Sequence, residues 1–160
     1  MQKYRWQPEM VIFVGLQASG KSTLYQQRFF TTHVRINLDM LKTRHRERTL
    51  LQACVAMQQH CVVDNTNVLR AERAVYMTAA RPARFRVVGY FFEPDVQACI
   101  ARNDQRTGRE HIPVKGILSA ARRMQPPRYD EGFDALYQVR IDPTEGFRVT
   151  LIDRRRESPR

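Results

Sequence analysis

The sequence VIFVGLQASGKST, which runs from Val11 to Thr23, decides how the rest of the chain folds. Its apolar beginning predicts a buried strand, and Gly15 to Ser22 fit the pattern G-x-x-x-x-G-K-[ST]. The two glycines adopt backbone angles closed to other residues, so successive N–H groups can turn inward around a polyphosphate. A helix beginning near Lys21 points the positive end of its dipole at the same anion. A chance match in a turn is the alternative, and the readable strand and helix argue against it.

This loop also assigns roles to its side chains. We expect Lys21 to reach the β- and γ-phosphates of a nucleoside triphosphate and the Ser22 hydroxyl to hold Mg²⁺. ATP and Mg²⁺ are therefore the cofactors that the sequence predicts. The other loop residues expected to contact the triphosphate are Gly15, Ala18, Ser19, Gly20 and Thr23.

Length and composition indicate a single domain. The 160 residues are enough for one three-layer core, and 42% hydrophobic and 27% charged residues are ordinary globular values. The net charge of +11 favours a polyanionic partner such as nucleic acid, although a basic surface that serves solubility gives the same count. Within this domain we expect residues 1–9 to be an N-terminal extension, about 104–113 a lid, and 154–160 a flexible basic tail.

The cysteines and the apolar segments indicate a cellular compartment. Cys54, Cys61 and Cys99 are odd in number, lie in apolar segments and lack C-x-x-C spacing. They predict buried thiols in a reducing cytoplasm rather than a disulfide framework or a zinc site. No signal-peptide pattern opens the sequence, and no apolar run is long enough for a membrane span. We therefore expect a cytoplasmic protein with no membrane association, and no protein partner is evident.

Predicted strands alternate with predicted helices along the chain. This order implies right-handed crossovers and a central, mostly parallel sheet covered on both faces. The predicted fold class is thus α/β, a three-layer P-loop NTPase with a helical or loop lid, and the resemblance described below implies the kinase type of this fold. The predicted strands cover residues 10–14, 33–37, 61–63, 85–92, 136–141 and 147–152, and the predicted helices cover 22–30, 40–59, 67–80, 95–103 and 113–124.

Two aspartates follow predicted strands, where the ligand sites of such sheets lie. Asp39 is the candidate general base for an acceptor hydroxyl. Capping of the following helix is its alternative role, and the two roles are compatible. Asp64 ends an apolar strand and is a candidate to hold Mg²⁺ directly or through water. The alternative role of Asp64 is to form an Asx turn or an N-cap within the stretch 64–67.

Two basic segments complete the candidate site. The stretch 102–109 predicts a lid that brings Arg106 onto the phosphates and excludes water, with a solvated charge run as the alternative. A second run, 42–48, begins the helix after Asp39 and cannot lie on one helix face. We expect part of it to border an acceptor groove and the rest to be solvated surface.

Several segments together resemble the kinase domain of polynucleotide 5′-hydroxyl kinases over about residues 10 to 142. The resemblance implies that Asp39 is the general base and that Arg106 contacts the ATP phosphates. It also implies acceptor contacts by Lys42, Asn67 and Arg70; Lys42 stands where phage members have an arginine and keeps the charge without the bidentate fork. The similar segments are Gly15–Thr23, Ile36–Asp39, Val62–Asn67 with Arg70 and Arg73, Arg102–Arg106 and Pro127–Phe133.

The sequence therefore predicts an ATP- and Mg²⁺-dependent P-loop kinase. Its expected acceptor is the 5′-hydroxyl of a polynucleotide, as in the nucleic acid repair enzymes of the resembled family. A kinase of a small molecule such as a sugar, nucleoside or antibiotic is the first alternative. A nucleotide-binding module that phosphorylates nothing is the second, and the candidate base and arginine lid argue against it.

Overall fold

The computed structural model of the protein describes residues 6–157. Residues 1–5 and 158–160, which hold much of the predicted extension and part of the predicted tail, lie outside the described residues. Six strands form one sheet within the described part: β1 (Glu9–Val14), β2 (Val34–Ile36), β3 (Cys61–Val63), β4 (Arg86–Phe92), β5 (Ala135–Asp142) and β6 (Gly146–Leu151). Their order is β2-β3-β1-β4-β5-β6. All neighbours are parallel except β5 and β6, which form an antiparallel hairpin.

Helices cover both faces of this sheet, which confirms the predicted α/β fold. They are α1 (Lys21–Arg28), α2 (Leu38–Leu41), α3 (Arg44–Met57), α4 (Arg70–Ala80), α5 (Val96–Asp104) and α6 (Val114–Arg123). Alternate residues of β1 point to opposite faces. Met10 and Ile12 accordingly pack with α3 and α4, whereas Val11 and Phe13 pack with α1. Cys54, Cys61 and Cys99 are buried in these layers, as predicted.

Strand β1 lies at the centre of the sheet, between β3 and β4. Met10 to Val14 are completely buried. A parallel strand covered on both faces reads as a continuous apolar run, which is why the sequence shows no alternation here. The strand ends at Val14, so the phosphate-binding loop begins at the middle of the sheet edge.

The predicted helix over 40–59 is in fact two helices, which corrects the sequence interpretation. Lys42 adopts a left-handed conformation with φ of 71°, and the chain changes direction there. The side chain of Asn37 caps α2 by accepting from the N–H of Met40, and Thr43 caps α3 by accepting from Arg46. Asp39 therefore lies inside α2, and the alternative that it caps this helix is wrong because Asn37 already fills that position.

The last two predicted strands form an antiparallel hairpin, β5 and β6, at the edge of the sheet. The turn between them is fixed by Asp142, whose carboxylate accepts from the hydroxyl of Thr144 at 2.6 Å and from two backbone N–H groups. These bonds lower the pKa of Asp142 to about 2. Among residues 6–157, no helix combines the length and hydropathy that a membrane span requires.

Candidate nucleotide and acceptor site

The carboxyl ends of β1, β2 and β3 meet at one edge of the sheet and enclose a small polar cavity. Its volume is about 130 Å³, and Arg106 and Ile112 reach it from the predicted lid. Parallel strands bring their carboxyl ends together, which is why segments distant in the sequence share this edge. Most of the predicted site residues line the cavity: Ala18, Ser19, Gly20, Lys21, Ser22, Thr23, Asp39, Asp64 and Arg106.

The side chain of Lys21 lies over its own loop. Its ammonium group donates to the carbonyl oxygens of Leu16 at 2.6 Å and of Gly15 at 3.1 Å, and it lies 3.4 Å from the hydroxyl of Ser19. Burial lowers the pKa of Lys21 to about 8, and the charge of Asp64 opposes this change. A triphosphate entering the loop offers this partly buried cation a stronger acceptor than the two carbonyl groups.

Contacts with several other segments hold the phosphate-binding loop in its curved conformation. Gly20 has a φ of 94°, and a β-carbon there would lie 3.0 Å from the ring of Phe147 in β6. The guanidinium of Arg102 donates to the carbonyl oxygen of Ala18 at 2.6 Å. Gly15 donates its N–H to the carbonyl oxygen of Thr66 at 3.0 Å. The loop therefore depends on a hairpin, a helix and the segment after β3, none of which is adjacent to it in sequence.

The segment after β3 is organised by Asn67. Asn67 is buried with a φ of 47°, and its amide donates to the carbonyl oxygen of Phe13 at 2.8 Å. Its own carbonyl oxygen accepts from Arg73 at 2.9 Å. Arg70 instead forms an exposed ion pair with Asp130 at 3.0 Å. The structure therefore does not bring Asn67 or Arg70, both predicted to contact the acceptor, to the acceptor side of the site, because packing engages each of them elsewhere.

A fully buried ion pair ties this segment to the end of the domain. Arg73 donates to both carboxylate oxygens of Glu131, at 2.8 Å and 2.7 Å. Both residues are almost inaccessible to solvent. A two-pronged geometry of this kind compensates for the desolvation of two charges. The pair thus fixes Asn67, and through the neighbouring Thr66 it supports the phosphate-binding loop.

The oxygen donors of Ser22 and Asp64 fit a magnesium ion. The Ser22 hydroxyl donates to Oδ2 of Asp64 at 3.4 Å, and Mg²⁺ prefers one or two protein oxygens together with phosphates and water. Among the side chains of residues 6–155, no group of three or more acidic, histidine or cysteine residues could hold a metal ion. Nucleotide phosphates are therefore the expected source of the remaining ligands.

Arg35 in β2 is a site residue that sequence analysis missed. It donates to Oδ2 of Asp64 from Nε at 2.8 Å and to the hydroxyl of Ser22 from Nη2 at 2.8 Å. Arg35 is paired with Val62 across the parallel ladder, so Asp64 lies two residues further along on the same face. No sequence signal could have found Arg35, because its contact with Asp64 depends on β2 and β3 being neighbours in the sheet.

A larger cavity of about 530 Å³ adjoins the first and contains the candidate base. It shares Asp39 and Arg106 with the smaller cavity and extends to Lys42. Four cationic side chains line it against two carboxylates, so it favours an anionic ligand. The cationic residues are Arg35, Lys42, Arg106 and Arg109, and the acidic ones are Asp39 and Glu110.

Asn103, which sequence analysis did not single out, closes the predicted lid at its base. Its side chain donates to the carbonyl oxygen of Ile112 at 2.7 Å and accepts from the N–H of Ile112 at 2.9 Å. These reciprocal bonds join the two ends of the segment 104–111. Arg106, which donates to the carbonyl oxygen of Glu110 at 3.4 Å, therefore projects from a closed loop.

Comparisons with known proteins agree with this geometry. A protein-family model described as an AAA domain matches residues 10–127. A bifunctional polynucleotide phosphatase/kinase from Schizosaccharomyces pombe is 26% identical over 135 residues, which cover 82% of this chain and 33% of the relative. The chain thus spans about a third of the length of that relative.

Solved structures show the same fold at low identity. Chaetomium thermophilum Kti12 in complex with ADP-AlF3 superimposes with a TM-score of 0.66 at 17% identity, covering 85% of this chain and 91% of that one. A gluconokinase from Sinorhizobium meliloti 1021 gives a TM-score of 0.57 at 19% identity, covering 84% and 83% of the two chains. These similarities establish the architecture and leave the acceptor to be argued from the site.

Proposed function

The chain belongs to the AAA domain family, as a P-loop kinase domain, and we propose that it transfers the γ-phosphate of ATP to the 5′-hydroxyl of a polynucleotide. The observation that carries the proposal is the joined pair of cavities. Asp39 lines both, with the phosphate-binding loop on one side and a cationic chamber on the other. A carboxylate at this junction is suitably placed to activate a hydroxyl beside a γ-phosphate.

Each site residue has its own role in the proposed reaction. Asp39 orients the acceptor hydroxyl and takes its proton. The hydroxyl oxygen then bonds to the γ-phosphorus while the bond from that phosphorus to the β–γ bridging oxygen breaks, which releases ADP. Lys21 and Arg106 stabilise the negative charge that develops on the phosphate oxygens. Ser22 and Asp64 would hold Mg²⁺, which when bound neutralises charge on the β- and γ-phosphates.

Two observations favour a polynucleotide over a small neutral acceptor. Cationic side chains outnumber carboxylates around the acceptor cavity, and the whole chain carries a net charge of +11. Phosphates of a strand complement both features. The similarity to a polynucleotide phosphatase/kinase points to the same acceptor class.

The test is transfer of label from γ-radiolabelled ATP to a short oligonucleotide with a 5′-hydroxyl end. The same oligonucleotide with a 5′-phosphate is the control acceptor, and the Lys21→Met variant is the control enzyme. The proposal expects label on the 5′-hydroxyl strand alone and none with the variant. Label on gluconate, on another sugar or on a nucleoside, and none on either strand, would overturn the polynucleotide assignment.

A further inference from the structure

A third cavity lies outside the site described above, between α3 and α4. Its volume is about 370 Å³. Leu51 and Val75 give it an apolar floor, and Arg44 and Arg48 stand on one wall. Val75 is 59% exposed. We call this the α3–α4 groove; Glu47, Ala71, Glu72 and Tyr76 complete its lining.

We propose that the α3–α4 groove binds the nucleotides of the acceptor strand that follow the 5′-terminal one. This inference rests on the proposed function, since it extends the acceptor site from one nucleotide to several. The floor offers an apolar surface for a nucleobase, and the arginine wall offers guanidinium planes for stacking and charge for phosphates.

The groove is joined to the catalytic segment through Asn65. The amide nitrogen of Asn65 donates to Glu47 in the groove at 3.3 Å. Its oxygen accepts the N–H of Leu38, the residue before Asp39, at 2.8 Å. One side chain therefore contacts both the lining of the groove and the backbone beside the candidate base.

The groove is lined by two arginines and two carboxylates, Glu47 and Glu72, and Glu47 orders the arginine wall. Glu47 is buried, and its carboxylate accepts from the hydroxyl of Tyr76 at 2.8 Å and from Nη1 of Arg44 at 3.1 Å. This anchoring holds Arg44 at the mouth of the groove while its side chain stays 61% exposed. Arg48 follows one turn later on the same face and forms no ion pair with the side chains that the structure describes, those of residues 6–155. Its charge is therefore available to a ligand.

The basic run 42–48 is thereby divided among different surfaces. Lys42 lines the cavity that contains Asp39, and Arg44 and Arg48 line the groove. Arg46 lies on neither, and it donates to the carbonyl oxygen of Leu41 at 3.3 Å. Basic side chains of this run are thus present both in the cavity that contains Asp39 and in the groove.

The experiment compares acceptors of different length with groove variants. A nucleoside 3′-monophosphate fills the catalytic cavity alone, whereas a 5′-hydroxyl hexanucleotide also reaches the groove. Arg48→Ala removes a wall charge, and Val75→Asp places a negative charge on the exposed floor. Arg28→Ala, which removes an exposed arginine from α1 on the opposite face of the sheet, is the matched control. Thermal unfolding of each variant establishes that it is folded.

The groove variants are expected to raise KM for the hexanucleotide by roughly ten-fold, the scale of one lost stacking or phosphate contact. KM for the nucleoside 3′-monophosphate, KM for ATP and kcat should stay at their wild-type values. In Arg48→Ala the slope of log affinity against log salt should fall by about one. Equal effects of Arg48→Ala and Arg28→Ala on the hexanucleotide would overturn the inference.

Direct binding separates this inference from the proposed function. Fluorescence anisotropy of a labelled hexanucleotide measures occupancy of the groove without any transfer. Binding that depends on Arg48, with no phosphate transfer by the wild type, would sink the proposed function and support the groove. Phosphate transfer by the wild type, with hexanucleotide binding that is unchanged in the Arg48 and Val75 variants, would support the proposed function and overturn the groove. Absence of both binding and transfer would overturn both.

Discussion

Arg35 and Asp64 are joined by two contacts to a single carboxylate oxygen, from Nε at 2.8 Å and from Nη2 at 2.7 Å. The same guanidinium also donates to the hydroxyl of Ser22 at 2.8 Å. Asp64 is 1% exposed, so this pair is shielded from water on the carboxylate side. Arg35 therefore contacts both Ser22 and Asp64, the two side chains assigned to Mg²⁺, although no catalytic motif surrounds Arg35 in the sequence.

Removing Arg35 should make Mg²⁺ bind more tightly. In Arg35→Gln the carboxylate of Asp64 loses the cation that competes for it, and we expect the dissociation constant for Mg²⁺ to fall about ten-fold. Calorimetric titration of Mg²⁺ into protein saturated with a non-hydrolysable ATP analogue measures this constant. Arg86→Gln, which breaks the exposed pair with Glu9 at the other end of the sheet, is the control. Weaker Mg²⁺ binding in Arg35→Gln would show that Arg35 assists the site.

The stability of the nucleotide-free protein should depend on pH through Lys21. Its pKa is about 8 in the folded protein, against an ordinary value of 10.5. Between these values the unfolded chain binds more protons than the folded one, so the free energy of unfolding rises with pH. We expect the wild type to gain about 1–3 kcal/mol over Lys21→Met between pH 7 and 10. Urea unfolding at several pH values measures the difference, and parallel curves for the two proteins would contradict the assignment.

Gly20 should tolerate no side chain, because its backbone and its surroundings both exclude one. Its φ of 94° strains any other residue, and a β-carbon would lie 3.0 Å from the ring of Phe147. We expect Gly20→Ala to lose about 1–2 kcal/mol of stability to strain and at least ten-fold in ATP affinity. Gly146→Ala is the matched control, since Gly146 has a φ of 82° with no atom within 4 Å of the added carbon. Equal ATP affinity in the two variants would disprove the contact.

How far these features follow from the sequence depends on how local they are. The strand, loop and helix around Gly15 and Lys21 are local, and a strand that is buried on both faces, as β1 is, reads as an apolar run. The break at Lys42 is also local. Thr43 is a standard N-cap residue and is the local signal of the break that the predicted helix over 40–59 overlooked.

Other features required the sheet order. Arg35 meets Asp64 only because β2 and β3 are neighbours in parallel register. Phe147 meets Gly20 only because the hairpin returns beside α1. Such contacts join residues far apart in the chain, so neither periodicity nor motif spacing records them. The catalytic roles assigned from the motifs stay predictions that the following variants address.

The buried pair of Arg73 and Glu131 should behave differently when one or both partners are replaced. Arg73→Met leaves an unpaired buried carboxylate and should cost about 3–5 kcal/mol of unfolding free energy. Arg73→Met combined with Glu131→Leu should recover most of that loss, because an apolar pair needs no charge compensation. ATP affinity should stay below the wild-type value, since Asn67 has lost the donor to its carbonyl oxygen. A double variant no more stable than the single one would contradict this view of the pair.

The assignment of Asp39 as the general base is tested most directly by phosphate transfer in Asp39→Asn. The substitution keeps the shape of the side chain and removes its capacity to take a proton, so kcat should fall by about 10² to 10⁴-fold. Calorimetry should find ATP binding unchanged, because Lys21 and the loop are intact. Glu110→Gln, which neutralises the other carboxylate of the acceptor cavity, should transfer phosphate at close to the wild-type rate. Wild-type transfer by Asp39→Asn would remove the base from the mechanism and with it the central claim.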